Sequence, residues 1–217
     1  MNEAQLGLVI NAAWATIWMV GVSGTLALVF GIPLGMILVA SGRGGVSPHP
    51  LVAGGLGAVV NATRSTPFII LMVAVIPLTR MIVGTSIGTD AAIVPLTLAA
   101  IPFVARLAET ALREVPNGLV EAAEAMGATP LQIITRVLLP EALPALVAAA
   151  TLTLVNLIGY SAMAGAVGGG GLGDVGIRYG YQRFEPVVMV VVVVALIILV
   201  QVVQSIGDAI SRRIDRR

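Results

Sequence analysis

Few residues in this chain have the types and spacing that do chemistry. Gly168-Gly169-Gly170-Gly171-Leu172-Gly173 fits the pattern G-x-G-x-x-G. A dinucleotide site on that pattern needs a strand before it, a helix after it and an acid about 20 residues on. A long apolar run precedes it here, so the glycines read as permissive backbone for a moving loop. Gly159-Tyr160-Ser161-Ala162 places a serine two residues after a glycine, as in a membrane-embedded protease. A nucleophilic serine needs a base within hydrogen-bond reach. The chain has one histidine, His49, in a remote loop, and no lysine. Without lysine there is no P-loop, so ATP-driven work would need a separate ATPase subunit. Cysteine is absent, which removes disulfides, thiol catalysis and thiolate metal sites. No metal, no cofactor and no catalytic residue is expected.

The remaining polar candidates lie inside apolar runs. Thr153, Asn156 and Tyr160 fall at i, i+3 and i+7, flanked by Ser161 and Met163. Such residues face a cavity or a neighbouring helix. Pathway lining and interhelical hydrogen bonding both remain open for them. Arg64 stands in the polar interruption from Asn61 to Pro67. It either snorkels to the interface or pins a broken segment during gating. Met163, flexible, apolar and followed by glycines, is expected to help close a pathway outward, with Tyr160 and Ser161 lining it below.

Composition sets what must position these residues. The chain has 217 residues, 58% of them hydrophobic and 11% charged, with mean hydropathy +1.01. That much apolar surface requires a lipid bilayer. A net charge of +1 gives no basis for a nucleic-acid partner. Met1-Asn2-Glu3 does not read as the start of a signal peptide. About 20 apolar residues cross a bilayer as a helix. Five spans are expected, near 13–40, 59–78, 90–107, 143–167 and 186–203. Gly31, Pro33 and Gly35 mark a tilt or break in the first, and Trp14 and Trp18 suit an interfacial belt. Thr89 or Asp90 is expected to cap the third. Five spans put the termini on opposite sides. With the N-terminus outside, nine arginines lie inside (Arg43, Arg64, Arg106, Arg113, Arg136, Arg212, Arg213, Arg216 and Arg217) and three outside (Arg80, Arg178 and Arg183). The positive-inside rule selects that orientation.

The most polar long segment, 116–140, then lies in the cytoplasm. Pro116 and Asn117 open a short helix, with Asn117 the expected cap, and Gly127 stands where a left-handed stop belongs. Thr129, Pro130 and Gln132 spell the start of a second helix with a capping box. Pro140 and Pro144 discourage a smooth continuation. A helix of about ten residues is too short to stand alone in water, so the chain, a partner or both must hold it.

Glu121-Ala122-Ala123, then Gly127, then Val137-Leu138-Leu139-Pro140, match the EAA signature of ABC importer permeases at every spacing. Valine for the usual isoleucine is the one departure. The segments 61–70, 76–88, 159–163 and 165–173 resemble the methionine importer branch of that family, and the likeness covers nearly the whole chain. The resemblance implies an all-α integral membrane protein of the type I ABC importer fold. It implies five transmembrane helices, an outer N-terminal segment 1–12, a transmembrane domain 13–206 and a cytoplasmic tail 207–217. It implies coupling through Glu121, Ala122, Ala123, Gly127, Leu139 and Pro140. A pathway or gate would use Arg64, Pro67, Asn156, Tyr160, Ser161 and Met163. The implied partners are a second copy of the chain, two ATP-binding subunits on the cytoplasmic face and a substrate-binding protein on the outer face. The setting implied is a bacterial inner membrane, and the solute methionine. An importer for another small solute, an ion-coupled secondary transporter and a membrane enzyme are the competing classes. No midplane ionisable cluster or inverted repeat favours the secondary transporter.

Overall fold

The computed structural model describes residues 3–214, and every regular element among them is helical. Met1, Asn2, Arg216 and Arg217 lie outside the described residues. Four helices are long and apolar enough to cross a membrane: α1 (Glu3–Ser41), α5 (Thr89–Arg113), α9 (Leu143–Ala166) and α11 (Pro186–Ile214). A fifth candidate is a bent pair, α2 (Pro50–Ser65) and α3 (Phe68–Ala74), which meet at 105°. Short helices fill the connections: α4 (Ile76–Val83), α6 (Asn117–Ala125), α7 (Pro130–Ile133), α8 (Leu139–Glu141) and α10 (Gly171–Val175).

Helix α5 is the hub, packed along α1 and against α9 and α2. Of the tilt or break expected in the first span, the break does not occur: α1 is one continuous helix with Pro33 inside it. Gly31 and Gly35 serve packing instead. A Cβ on Gly31 would lie 2.6 Å from Val104 Cβ, and one on Gly35 would lie 2.7 Å from the Ala105 carbonyl oxygen. Between apolar helices in lipid, close backbone approach through small residues supplies much of the attraction. The central core joins α1, α3, α5 and α9 through Met19, Ala27, Phe68, Leu96, Val104 and Leu157. Thr16 and Ser23 are buried on α1, and each hydroxyl donates to a carbonyl one turn earlier, so neither is left unpaired in the apolar interior.

Several local expectations shift. The second span, expected near 59–78 with an interruption from Asn61 to Pro67, breaks at the end of that interruption, because Thr66 and Pro67 are extended and the helix restarts at Phe68. A residue before proline is pushed out of the helical region, which places the break at this point. Gly88 at φ 105° takes the N-cap of α5. The Asp90 carboxylate instead accepts from the Trp18 indole N–H at 3.2 Å. Trp14 and Trp18 are both exposed, as an interfacial belt requires.

The glycine run is not a free loop. Leu172 is buried, and its N–H donates to Thr16 Oγ1 at 2.9 Å. A Cβ on Gly173 would lie 2.3 Å from the Ala162 carbonyl oxygen. These glycines let α10 press against α1 and α9, a packing role that their pattern alone does not reveal.

Candidate coupling segment and translocation site

The polar segment is fixed by its own backbone chemistry. Helix α6 starts after Pro116, which occupies the N-cap, and Asn117 is its first residue and gives no side-chain cap. At the other end Gly127 is left-handed, at φ 77°. The Ala128 N–H donates to the Ala123 carbonyl at 3.0 Å and the Gly127 N–H to that of Glu124 at 2.9 Å. That pair of bonds is the Schellman arrangement, and it satisfies carbonyls the helix end would otherwise leave open. Helix α7 opens with the full capping box: the Thr129 hydroxyl accepts from the Gln132 N–H, and the Gln132 side chain accepts from the Thr129 N–H.

The chain does not stop at Pro140. A π-helical turn, Ile134–Leu138, leads into α8, and after one turn residue, Ala142, the chain continues as α9. A proline ring clashes with the carbonyl four residues earlier, here that of Arg136, and the widened turn gives it room. The segment is therefore joined to the long helix α9 by nearly unbroken helix, so displacement at one is felt by the other.

Ala123, with the half-buried Val120 beside it, anchors α6. Ala123 is buried in a cluster with Leu112, Val115, Ile133, Leu138 and Leu146. Glu121, Ala122 and Gly127 are exposed, as is Pro140, and Leu139 is half-buried. Met126 is 82% and Leu131 69% exposed, so the segment offers apolar tips beside the Glu121 and Glu124 carboxylates. Such a surface suits docking into a groove on another protein.

The second constellation surrounds the break between α2 and α3. Phe68, buried, stacks on Tyr160 with ring centroids 4.6 Å apart and planes 1° from parallel. The Arg64 guanidinium carbon lies 5.9 Å from the centre of the Phe103 ring, within cation–π range. A cavity of about 170 Å³ is lined by both pairs, together with Thr63, Thr66, Leu71 and Ala99. Arg64 and Tyr160 thus come together from distant parts of the chain, and Pro67 sits at the break that brings them there.

The other pathway candidates separate. Asn156 is half-buried one turn before Tyr160. Thr153 is buried and donates to the Ala149 carbonyl at 2.8 Å. Ser161 is 2% exposed, and its Oγ donates to the Ile158 carbonyl at 2.7 Å. Its hydroxyl is bonded within its own helix and the residue is packed on all sides in this chain. Met163 is 47% exposed and does not line the aromatic cavity. His49 contacts Ser47 in its exposed loop. Among the described residues no acid or histidine cluster could hold a metal ion.

Phe68 and Phe103 carry no polar signal and are not singled out by sequence reading. Phe68 could have been suspected from its place directly after Pro67. Nor does the sequence announce the buried Glu109. It receives Arg106 at 2.5 Å and Arg113 at 3.0 Å, while Arg106 also donates to the Asn61 side chain at 2.9 Å. Charges at i, i+3 and i+4 hint at the first two bonds. The tie to Asn61 is tertiary.

The model of the family described as binding-protein-dependent transport system inner membrane component matches residues 31–217. The probable D-methionine transport system permease protein MetI of Vibrio cholerae is 60% identical over 210 residues, covering 97% of this chain and 93% of that one. The D-methionine transport system permease protein MetI of Yersinia pestis is 57% identical over 165 residues, 76% of each chain. Among solved structures, an inward-facing MetNI methionine ABC transporter chain superposes with TM-score 0.98 at 52% identity over the whole of both chains. An amino acid ABC transporter chain shares the fold at TM-score 0.76 and 18% identity. An all-helical architecture, a capped polar segment between the long helices α5 and α9, and matches across most of the sequence converge: this chain belongs to the binding-protein-dependent transport system inner membrane component family, as a permease subunit of the type I ABC importer fold.

Proposed function

We propose that the chain moves methionine, D- or L-, across a bacterial inner membrane by alternating access. It does so as a pair of identical permeases with two separate subunits that bind and hydrolyse ATP. A substrate-binding protein delivers solute on the outer face. The observation that carries this reading is the 60% identity to a probable D-methionine permease over 97% of the chain. The exposed face of α6, with Glu121 and Ala122 outward and Ala123 anchored, supports docking of an ATPase. The arginine bias supports an outside N-terminus and a cytoplasmic C-terminus.

Within this reading Gly127, Leu139 and Pro140 set the aim of the docking helix. Arg64, Pro67, Asn156 and Tyr160 line or shape the pathway, and Met163 closes it outward. Ser161 acts from behind, by holding the helix that carries Tyr160 and Met163. The test is uptake of labelled methionine by vesicles containing the permease, its ATPase subunit and the binding protein. ATP-dependent accumulation of methionine, insensitive to collapse of ion gradients, is expected. Accumulation driven by an ion gradient without ATP, or no accumulation of methionine while another amino acid enters, overturns the reading. Orientation is tested with Tyr181→Cys, which an impermeant thiol reagent should label from outside only.

A further inference from the structure

Three arginines converge on a cavity of about 450 Å³ that neither the coupling face nor the aromatic pair uses. Its walls are the end of α1, the loop after it, the start of α2 and the last turns of α5. Glu109 is the only acid in the lining, and it already pairs with Arg106 and Arg113. Arg43, exposed at the mouth, has no hydrogen-bond or ion-pair partner among the described residues. Three guanidiniums against one carboxylate leave the cavity positively charged.

The backbone keeps those charges in the open space. A Cβ on Gly42 would lie 2.8 Å from Arg113 Nη2, and one on Gly57 would lie 3.5 Å from Arg106 Nη2. Glycine at position 42 leaves room for the Arg113 head, whereas at position 57 a side chain would meet Arg106 only in ordinary contact. The Gly57 carbonyl also accepts from Arg106 Nη2 at 3.3 Å, so the backbone itself orients that head.

The position within the membrane narrows the ligand. The cavity lies where apolar α1 and α5 give way to polar loops, at the end of the molecule that carries the coupling segment. Beside it on α2, Leu51 is 91% and Val52 47% exposed. Cations inside and aliphatic surface at the rim match an amphiphile with an anionic head. The planar fork of arginine suits phosphate oxygens, and basic pockets between membrane helices take anionic headgroups.

We propose that this cavity binds the phosphate of an anionic phospholipid from the leaflet that faces the coupling segment. Arg43 and Arg113 donate to the phosphate. Arg106, held by Glu109, Asn61 and the Gly57 carbonyl, fixes the cavity's shape. The acyl chains run along Leu51 and Val52. A bound lipid would tie the loop after α1 to the end of α5, immediately before α6. The assignment does not depend on which solute is carried.

The test uses the intact complex of permease and ATPase subunit, purified in detergent and titrated with phosphatidylglycerol or phosphatidylcholine of equal chain length. Bound lipid is read by native mass spectrometry. Phosphatidylglycerol should be retained in preference, and Arg43→Gln should lower its retention about fivefold, as expected for one cation at a lipid surface. Arg43 has no partner among the described residues, so its loss should leave the fold intact, and the complex should elute unchanged. Arg113→Gln should act in the same direction. Equal retention of the two lipids, or unchanged retention in both variants, overturns the proposal. Complete displacement by millimolar inorganic phosphate would make this a free-phosphate site and overturn the lipid assignment. Binding to the permease alone that vanishes in the complex would do so too, because an acidic side chain of the ATPase subunit would then fill the cavity.

Discussion

The coupling segment and the aromatic cavity are built by opposite means. Residues 116–140 are positioned by bonds between near neighbours in sequence: Ala128 to Ala123, Gly127 to Glu124, Thr129 to Gln132 and back. The cavity is positioned by contacts between residues far apart, with Phe68 on Tyr160 and Arg64 over Phe103. The first region keeps its shape while its side chains stay exposed for a partner. The second exists only while α2, α3, α5 and α9 are packed together. A machine that must hold one surface constant and open another gains from this division. Local bonds persist through a movement, whereas a stack between helices can be made and broken.

The largest expected effect falls on the local side. Gly127 is at φ 77°, and beyond its chain neighbours no atom lies within 4 Å of the Cβ it lacks. Space is therefore no obstacle and backbone conformation is the whole cost. A left-handed residue with a side chain costs about 1–2 kcal/mol, more when β-branched, while asparagine bears it best. Gly127→Val should insert and dimerise but lose uptake, because α6 is re-aimed and the ATPase subunit is released or uncoupled. Gly127→Asn should stay close to the parent. Uptake measured beside ATPase retention on an affinity column reads both. Normal uptake by Gly127→Val would remove the coupling role from this turn.

The tertiary side should break differently. Tyr160→Ala removes a stacked pair worth about 0.5–1.5 kcal/mol beyond its buried area and enlarges the cavity at the break. Uptake should fall about tenfold, or ATP hydrolysis should proceed without transport, with the ATPase subunit still bound. Tyr160→Phe keeps the stack and should retain most uptake. If Tyr160→Phe fails as badly as Tyr160→Ala, the hydroxyl matters and the stack is incidental. Loss of the ATPase subunit in Tyr160→Ala would erase the distinction between the two regions.

What the sequence made legible follows the same division. Gly127, Thr129, Pro130 and Gln132 act through their own backbone geometry, so their spacing alone predicts the turn and the capping box. Long apolar runs reveal α1, α5, α9 and α11 because each exceeds what a bilayer requires. The glycines divide. Gly168, Gly170 and Gly171 are left-handed like Gly127, whereas Gly31, Gly35 and Gly173 serve close packing, and only the neighbour across the gap reveals that second role. Pro67 marks a break, but the 105° bend depends on what Phe68 finds to pack against. Ser161 has the polarity of a pathway residue, and its rotation about the helix axis buries it.

A smaller effect tests how much of the coupling segment rests on caps. Thr129→Ala deletes the hydroxyl that accepts from the Gln132 N–H, a loss of about 1 kcal/mol for an N-cap. Ile133, buried one turn on, still holds α7 in the cluster around Ala123. Thermal unfolding of the complex should shift down by a few degrees and uptake should fall less than twofold. A collapse of uptake comparable with Gly127→Val would mean that the cap sets the aim of α6, and that Gly127 merely permits it.

The smallest effect is expected where polarity and geometry disagree most. Ser161 lies beside Tyr160 in sequence, yet its hydroxyl is spent on the Ile158 carbonyl at 2.7 Å, and the residue is 2% exposed. That carbonyl belongs to α9 and keeps its place in the helix ladder, so losing the serine leaves no orphaned backbone group. Ser161→Ala removes a donor and little volume, and alanine is the better helix former. Uptake rate and apparent affinity for methionine should both stay within twofold of the parent. Ser161→Leu should behave otherwise, because a buried site without spare volume punishes overpacking by about 1–3 kcal/mol. That variant should lose assembly before it loses selectivity. If Ser161→Ala instead weakened affinity for methionine tenfold while assembly held, the hydroxyl would have to turn toward the solute during transport. Part of the pathway would then be visible only in another conformation of α9.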